Sequence, residues 1–217
     1  MKFPNAAKGV KRLFTAEILE LIAAILSIIG IAMLIVTLAA AQSNAEGATI
    51  AAGTGTVVLL AGAAVLSLIG GIMALIGIIN ASRDEGAFKA ALITIIISLC
   101  AAIVAGIFSQ NSTVQSICQI LQNLMAIFVT VFVIQGVSNL AVKVGDSDVA
   151  QQGKSLLKII VAIYVLSLIA NILVLVFGGM FVSVTAGIFA VIALVLNVIA
   201  YFVYLSLLSK GKTMLAE

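Results

Sequence analysis

The sequence predicts an all-α, polytopic membrane protein with six transmembrane helices and both termini on the cytoplasmic side. Three observations predict it. Of 217 residues, 64% are hydrophobic and 9% charged, whereas soluble domains carry about a quarter charged residues; too few polar groups are present to clothe a soluble core. The apolar residues fall into six runs, each long enough to cross a hydrocarbon layer about 30 Å thick. Finally, six spans place Lys2, Lys8, Lys11, Arg12, Arg83, Lys89, Lys143, Lys154, Lys158, Lys210 and Lys212, which are all the basic residues, on one side. Basic residues near span ends are retained in the cytoplasm, and a miscounted span would scatter them over both faces.

The first run extends from Ile18 to Ala41. Before it, Phe3, Val10, Leu13 and Phe14 alternate with Lys8, Lys11 and Arg12, a pattern that predicts a stretch lying along anionic headgroups. The basic start and Ala39-Ala40-Ala41 imitate a secretory signal peptide. The run exceeds the usual signal core of about 7 to 15 residues and five more spans follow, so the helix is expected to be retained. Glu17 and Glu20 lie one turn apart at its start, where the helix dipole favours carboxylates. The competing reading is an ion-linked pair, because intramembrane acids mark ion pathways.

Polar residues Gln42 to Gly47 precede the second run, Ile50 to Ile79, which carries Ala63, Ser67 and Gly71, with Gly70, Ala74 and Gly77 beside them. The third run, Ala90 to Phe108, follows Ser82-Arg83-Asp84-Glu85-Gly86 and carries Thr94, Ser98, Ala102 and Gly106 at four-residue spacing. Small-residue faces let helix backbones approach closely in lipid. They serve either packing within the chain or self-association.

The fourth run, Val114 to Ala141, begins after Ser109-Gln110-Asn111-Ser112 and brings Gln119, Gln122 and Asn123 to one helical face. That cluster reads as a polar vestibule or an interfacial rim. Beyond Lys143 to Asp148 comes the fifth run, Leu156 to Gly178, with Asn171 past the midplane. Gly178-Gly179 predicts a tight turn. The sixth run, Phe181 to Leu208, aligns Asn197 with Ala186, Ala190, Ala193, Tyr201 and Tyr204 as the expected inward face. Asn171 and Asn197 would form interhelical hydrogen bonds or line a solute path.

The whole chain, 1–217, reads as one integral membrane domain. Three helical-hairpin repeats are expected at 9–85, 86–152 and 153–212. They rest on Gly9-Val10-Lys11-Arg12, Gly86-Ala87-Phe88-Lys89 and Gly153-Lys154-Ser155-Leu156-Leu157-Lys158, with Gly77-Ile78-Ile79-Asn80 echoed by Gly136-Val137-Ser138-Asn139.

Chemistry-bearing patterns are scarce. There is no histidine, the commonest metal ligand and proton shuttle, and Cys100 and Cys118 both sit in apolar stretches. No nucleophile elbow, zinc motif, phosphate loop or selectivity-filter run occurs. The chain is therefore expected to be non-enzymatic and to use no cofactor or metal. Its expected partners are the lipid bilayer and a membrane protein or further copies of itself, with no nucleic acid. The favoured function is a scaffold, accessory or self-associating component of a bacterial-type plasma membrane. The alternative is a small permease or channel for an uncharged or weakly polar solute, lined by Asn171, Asn197, Tyr201, Tyr204 and the Gln119 cluster.

Overall fold

The computed structural model describes the backbone of residues 3–42, 46–177 and 180–216. Within these, it describes all side chains except those of 40–42, 46–52, 165–177, 180–191 and 193. Six α-helices follow one another: α1 (Pro4–Gln42), α2 (Glu46–Ala81), α3 (Gly86–Ile107), α4 (Ser112–Val144), α5 (Ser147–Phe177) and α6 (Met180–Met214). No strand occurs among the described residues. Five segments are long and apolar enough to cross a membrane, namely Pro4–Ala39, Gly53–Ala81, Gly86–Ile107, Ser112–Val144 and Leu194–Met214. The remaining apolar run lies in α5, much of it outside the described side chains. The protein is thus an all-helical polytopic membrane protein.

Helix α1 starts well before its apolar run. Proline suits the first helical position because its fixed φ is already helical and its missing N–H is not needed there. Ala6, Ala7 and Val10 are buried, and a Cβ built on Gly211 of α6 would lie 3.6 Å from Val10 Cγ1. The N-terminal segment is therefore helical and partly packed into the protein, with Lys8, Lys11 and Arg12 exposed beside the buried positions. It forms the first turns of α1, where Ala6, Ala7, Val10 and Leu13 are buried and Phe3 and Phe14 half-buried.

The chain divides into two compact units, residues 11–77 and residues 1–10 with 78–217. The first is an antiparallel pair formed by α1 and α2. Ala16, Ala23, Gly30 and Thr37 on α1 are buried, as are Thr56, Ala63, Gly70 and Gly77 on α2. Each set recurs every seventh residue, the period at which two helices keep one seam in contact. Small residues suit this seam, because helix association in lipid relies on close van der Waals packing.

In the second unit α3 packs on α4, α4 on α5 and α6, and α5 on α6. Phe88, Ile134, Leu140, Leu156, Leu207 and Leu208 are fully enclosed. These residues gather toward the helix ends that carry the lysines. Toward the other end, Ile96, Ile103, Ile107, Ile117 and Ile120 are exposed on α3 and α4, as expected where lipid is the solvent.

Candidate functional site

The acidic turn between α2 and α3 carries several hydrogen bonds and an ion pair to other helices. Asp84 reaches the start of α1: Oδ1 accepts from Asn5 Nδ2 at 3.0 Å and Oδ2 from the Ala6 amide at 2.8 Å. A carboxylate there satisfies amides that no helical carbonyl reaches, and it opposes the positive end of the helix dipole. The adjacent Glu85 points elsewhere. It is the N-cap of α3, accepts from the Ala87 amide at 3.5 Å, and receives Asn139 Nδ2 of α4 at 3.1 Å. Lys143, near the end of α4, completes the set with an ion pair to Glu85 Oε2, and its ammonium lies 5.9 Å from the centre of the Phe3 ring. Two consecutive carboxylates thereby tie α1, α3 and α4 together.

Burial pushes the Glu85 carboxyl up, since the charged form loses solvation. Hydrogen bonds from Lys143, Asn139 and the Ala87 amide, with the Lys143 charge, outweigh burial and hold the group below its ordinary 4.5.

The end of α4 explains why Gly136-Val137-Ser138-Asn139 has its composition. A Cβ on Gly136 would lie 2.6 Å from Phe88 Cε2, so only glycine lets the buried ring seat against α4. Ser138 Oγ donates to the Ala150 carbonyl at 3.1 Å and lies beside Gly153 of α5. Gly145, at φ 94°, ends α4, and the Asp146 amide returns to the Ala141 carbonyl at 2.9 Å, a Schellman closure. Asp146 then caps α5 by accepting from the Asp148 and Val149 amides at 3.1 and 3.0 Å. Gln152 Nε2 donates to Ser206 Oγ at 3.1 Å, joining α5 to α6.

In the α1–α2 pair, Ser67 Oγ donates to Glu20 Oε2 at 2.9 Å. A Cβ on Gly70 would stand 3.0 Å from Glu20 Oε1 and 3.3 Å from the Ala16 carbonyl oxygen. Glu20 therefore belongs to the helix seam opposite the second apolar run and is not merely at the start of the first; Glu17 is half-buried.

The other residues singled out by sequence separate. Ala63 and Thr94 are buried and Ser98 is half-buried, whereas Gly71, Ala102 and Gly106 are exposed. Gly71 and Gly106 have open space where a Cβ would stand. Four residues turn an α-helix by about 400°, so each step along such a row drifts about 40° around the axis. Consequently the rows Ala63-Ser67-Gly71 and Thr94-Ser98-Ala102-Gly106 begin in contact and rotate out of it. Gly70, not Gly71, continues the seam.

On α6 the buried positions include Ala200, Tyr204, Leu207, Leu208 and Gly211, while Tyr201 is half-buried and Asn197 exposed. Gln119 and Asn123 are exposed and Gln122 half-buried. The side chains of Asn171, Ala186, Ala190 and Ala193, and the Gly178-Gly179 turn, lie outside the described residues. Among the described residues no three His, Cys, Asp or Glu side chains come together as a metal site. Sequence reasoning does not single out Asp84, Glu85 and Asn139 as a site. The signal available is the Gly136-Val137-Ser138-Asn139 motif, which carries both the glycine that admits Phe88 and the amide that binds Glu85.

No family model, curated protein or solved structure matches the chain.

Proposed function

We propose that the protein is a non-enzymatic integral membrane component, a scaffold or accessory subunit that assembles with a second membrane protein or with copies of itself. The location proposed is a bacterial-type plasma membrane; the gathering of basic residues at one set of helix ends supports cytoplasmic termini.

One observation carries the reading: four polar side chains near the lysine-bearing end of the second unit join helices. Asp84 holds α1, Glu85 holds α4, Ser138 holds α5, and Gln152 joins α6. This use of carboxylates and amides fixes an arrangement and leaves large apolar faces, including Ile28, Val65 and Ile103, exposed. For the alternative, a small permease or channel, the proposed lining residues are divided: Asn197, Gln119 and Asn123 are exposed, Tyr201 and Gln122 half-buried and Tyr204 buried, while the Asn171 side chain lies outside the described residues.

Photocrosslinking in native membranes tests the proposal. A photoreactive residue at Ile28, Val65 or Ile103 is expected to give at least one discrete protein adduct. Lipid adducts alone from all three positions, with solute flux in liposomes, would contradict it.

A further inference from the structure

The lysine-bearing end of the second unit presents several exposed cations, of which Lys210 shares a cleft with Asp146 and Asp148. Lys8, Arg83, Lys89, Lys154, Lys158 and Lys210 are exposed. The acids closest to them in sequence are engaged within the protein: Asp84 by Asn5 and Ala6, Glu85 by Lys143 and Asn139, and Asp146 by the first amides of α5. Among the described acids of this unit only Asp148 is exposed. By sequence the unit carries nine basic residues against five acids, so it is net cationic.

Two of these cations stand directly above exposed aliphatic surface. Lys89 precedes Ile93 by one turn on α3, and Ile93 is 59% exposed. Lys158 precedes Val161 by one turn on α5, and Val161 is 58% exposed. Residues three or four apart share a helix face, so each face runs from ammonium to bare β-branched side chain. Lys154 lies one turn before Lys158, beside an open cleft of about 450 Å³ lined also by Val142, Gly145, Ser147, Ala150 and Gln151.

We propose that Lys89 on α3, and Lys154 with Lys158 on α5, hold the headgroups of anionic phospholipids whose acyl chains lie along Ile93 and Val161. The order of charge and hydrocarbon along each face matches a phospholipid, with its phosphate at the membrane surface and its chains below. A soluble anion would use the charge but leave the aliphatic surface uncovered.

Electron paramagnetic resonance of spin-labelled lipids provides the test, with the full chain in phosphatidylcholine vesicles. Labelled phosphatidylglycerol is expected to be immobilised over labelled phosphatidylcholine by about two-fold or more. That preference should fall toward unity between about 0.15 M and 1 M salt, as the Debye length shrinks. The combined Lys89→Gln, Lys154→Gln and Lys158→Gln variant should lose most of it. The matching three-fold Lys→Arg variant should keep it, which separates charge from misfolding. Equal immobilisation of the two lipids overturns the proposal, as does a preference untouched by the glutamine variant. Displacement by inorganic phosphate at matched ionic strength would instead identify a free-anion site, and also overturns it.

Discussion

Asp84 Oδ2 accepts the backbone amide of Ala6 at 2.8 Å, across 78 residues of sequence. The acidic turn after α2 therefore supplies the cap that α1 lacks locally, since Phe3 precedes the helix and offers no side-chain acceptor. Asp84→Ala should destabilise the protein by about 1–2 kcal/mol, as loss of an N-cap does. Asp84→Asn, which retains an acceptor, should cost less. Reversible unfolding in bicelles checks both; equal losses would remove the capping account.

Glu85 gives the fold an acid-sensitive contact. Its carboxyl is held below 4.5 in the folded protein, so it contributes stability above its unfolded value that is lost as pH falls through the folded one. Wild type should therefore exceed Glu85→Gln in stability at neutral pH, and the difference should shrink in acid as pH falls through the lowered folded value of the carboxyl. Parallel curves from neutrality into acid would show that the ion pair with Lys143 contributes nothing.

Phe88 and Gly136 form a tight apolar contact between α3 and α4. Gly136→Ala sets a methyl carbon 2.6 Å from the ring, and overpacking of this kind costs about 1–3 kcal/mol. Phe88→Leu in the same chain should recover part of that loss. A double-mutant cycle measures the coupling, and strict additivity would mean that the ring is free to move aside.

The seven-residue seam of α1 and α2 makes neighbouring glycines unequal. Gly70→Val should destabilise by about 1–3 kcal/mol, through its approach to Glu20 and the Ala16 carbonyl. Gly71→Val, with open space around it, should stay within about 0.5 kcal/mol. Since both changes alter helix propensity alike, their difference in thermal unfolding reports packing alone. The reverse order would restore the four-residue row.

Orientation is open to cysteine labelling after replacement of Cys100 and Cys118. Cysteines at Ser43 and Ser112 should react with an impermeant maleimide in intact cells, and one at Ser147 only after permeabilisation. Reaction at Ser147 in intact cells would invert the proposed topology.

The six helices are legible in the sequence because lipid as solvent leaves a direct mark: each apolar run lies almost wholly within one helix. Where the helices start is less legible. The first turns of α1, from Pro4 to Val10, look interfacial by composition. Their burial depends on Asp84 and on α6, which are remote in sequence.

The site is harder to read for a related reason. Asp84 and Glu85 sit in an ordinary polar turn, and nothing local shows that one serves α1 and the other α4. The small-residue rows mislead at Gly71, Ala102 and Gly106, because four-residue and seven-residue spacings share their first members. Only the partner helix decides between them: Gly70 faces Ala16 and Glu20, while Gly71 faces open space.

The native mass of the protein, gently extracted from its own membrane with whatever accompanies it, tests the central claim most directly. The account predicts a stoichiometric complex with a second membrane protein, or a defined homo-oligomer. A lone monomer that supports solute-specific flux in liposomes, lost in Asn197→Leu without loss of helix, would contradict it.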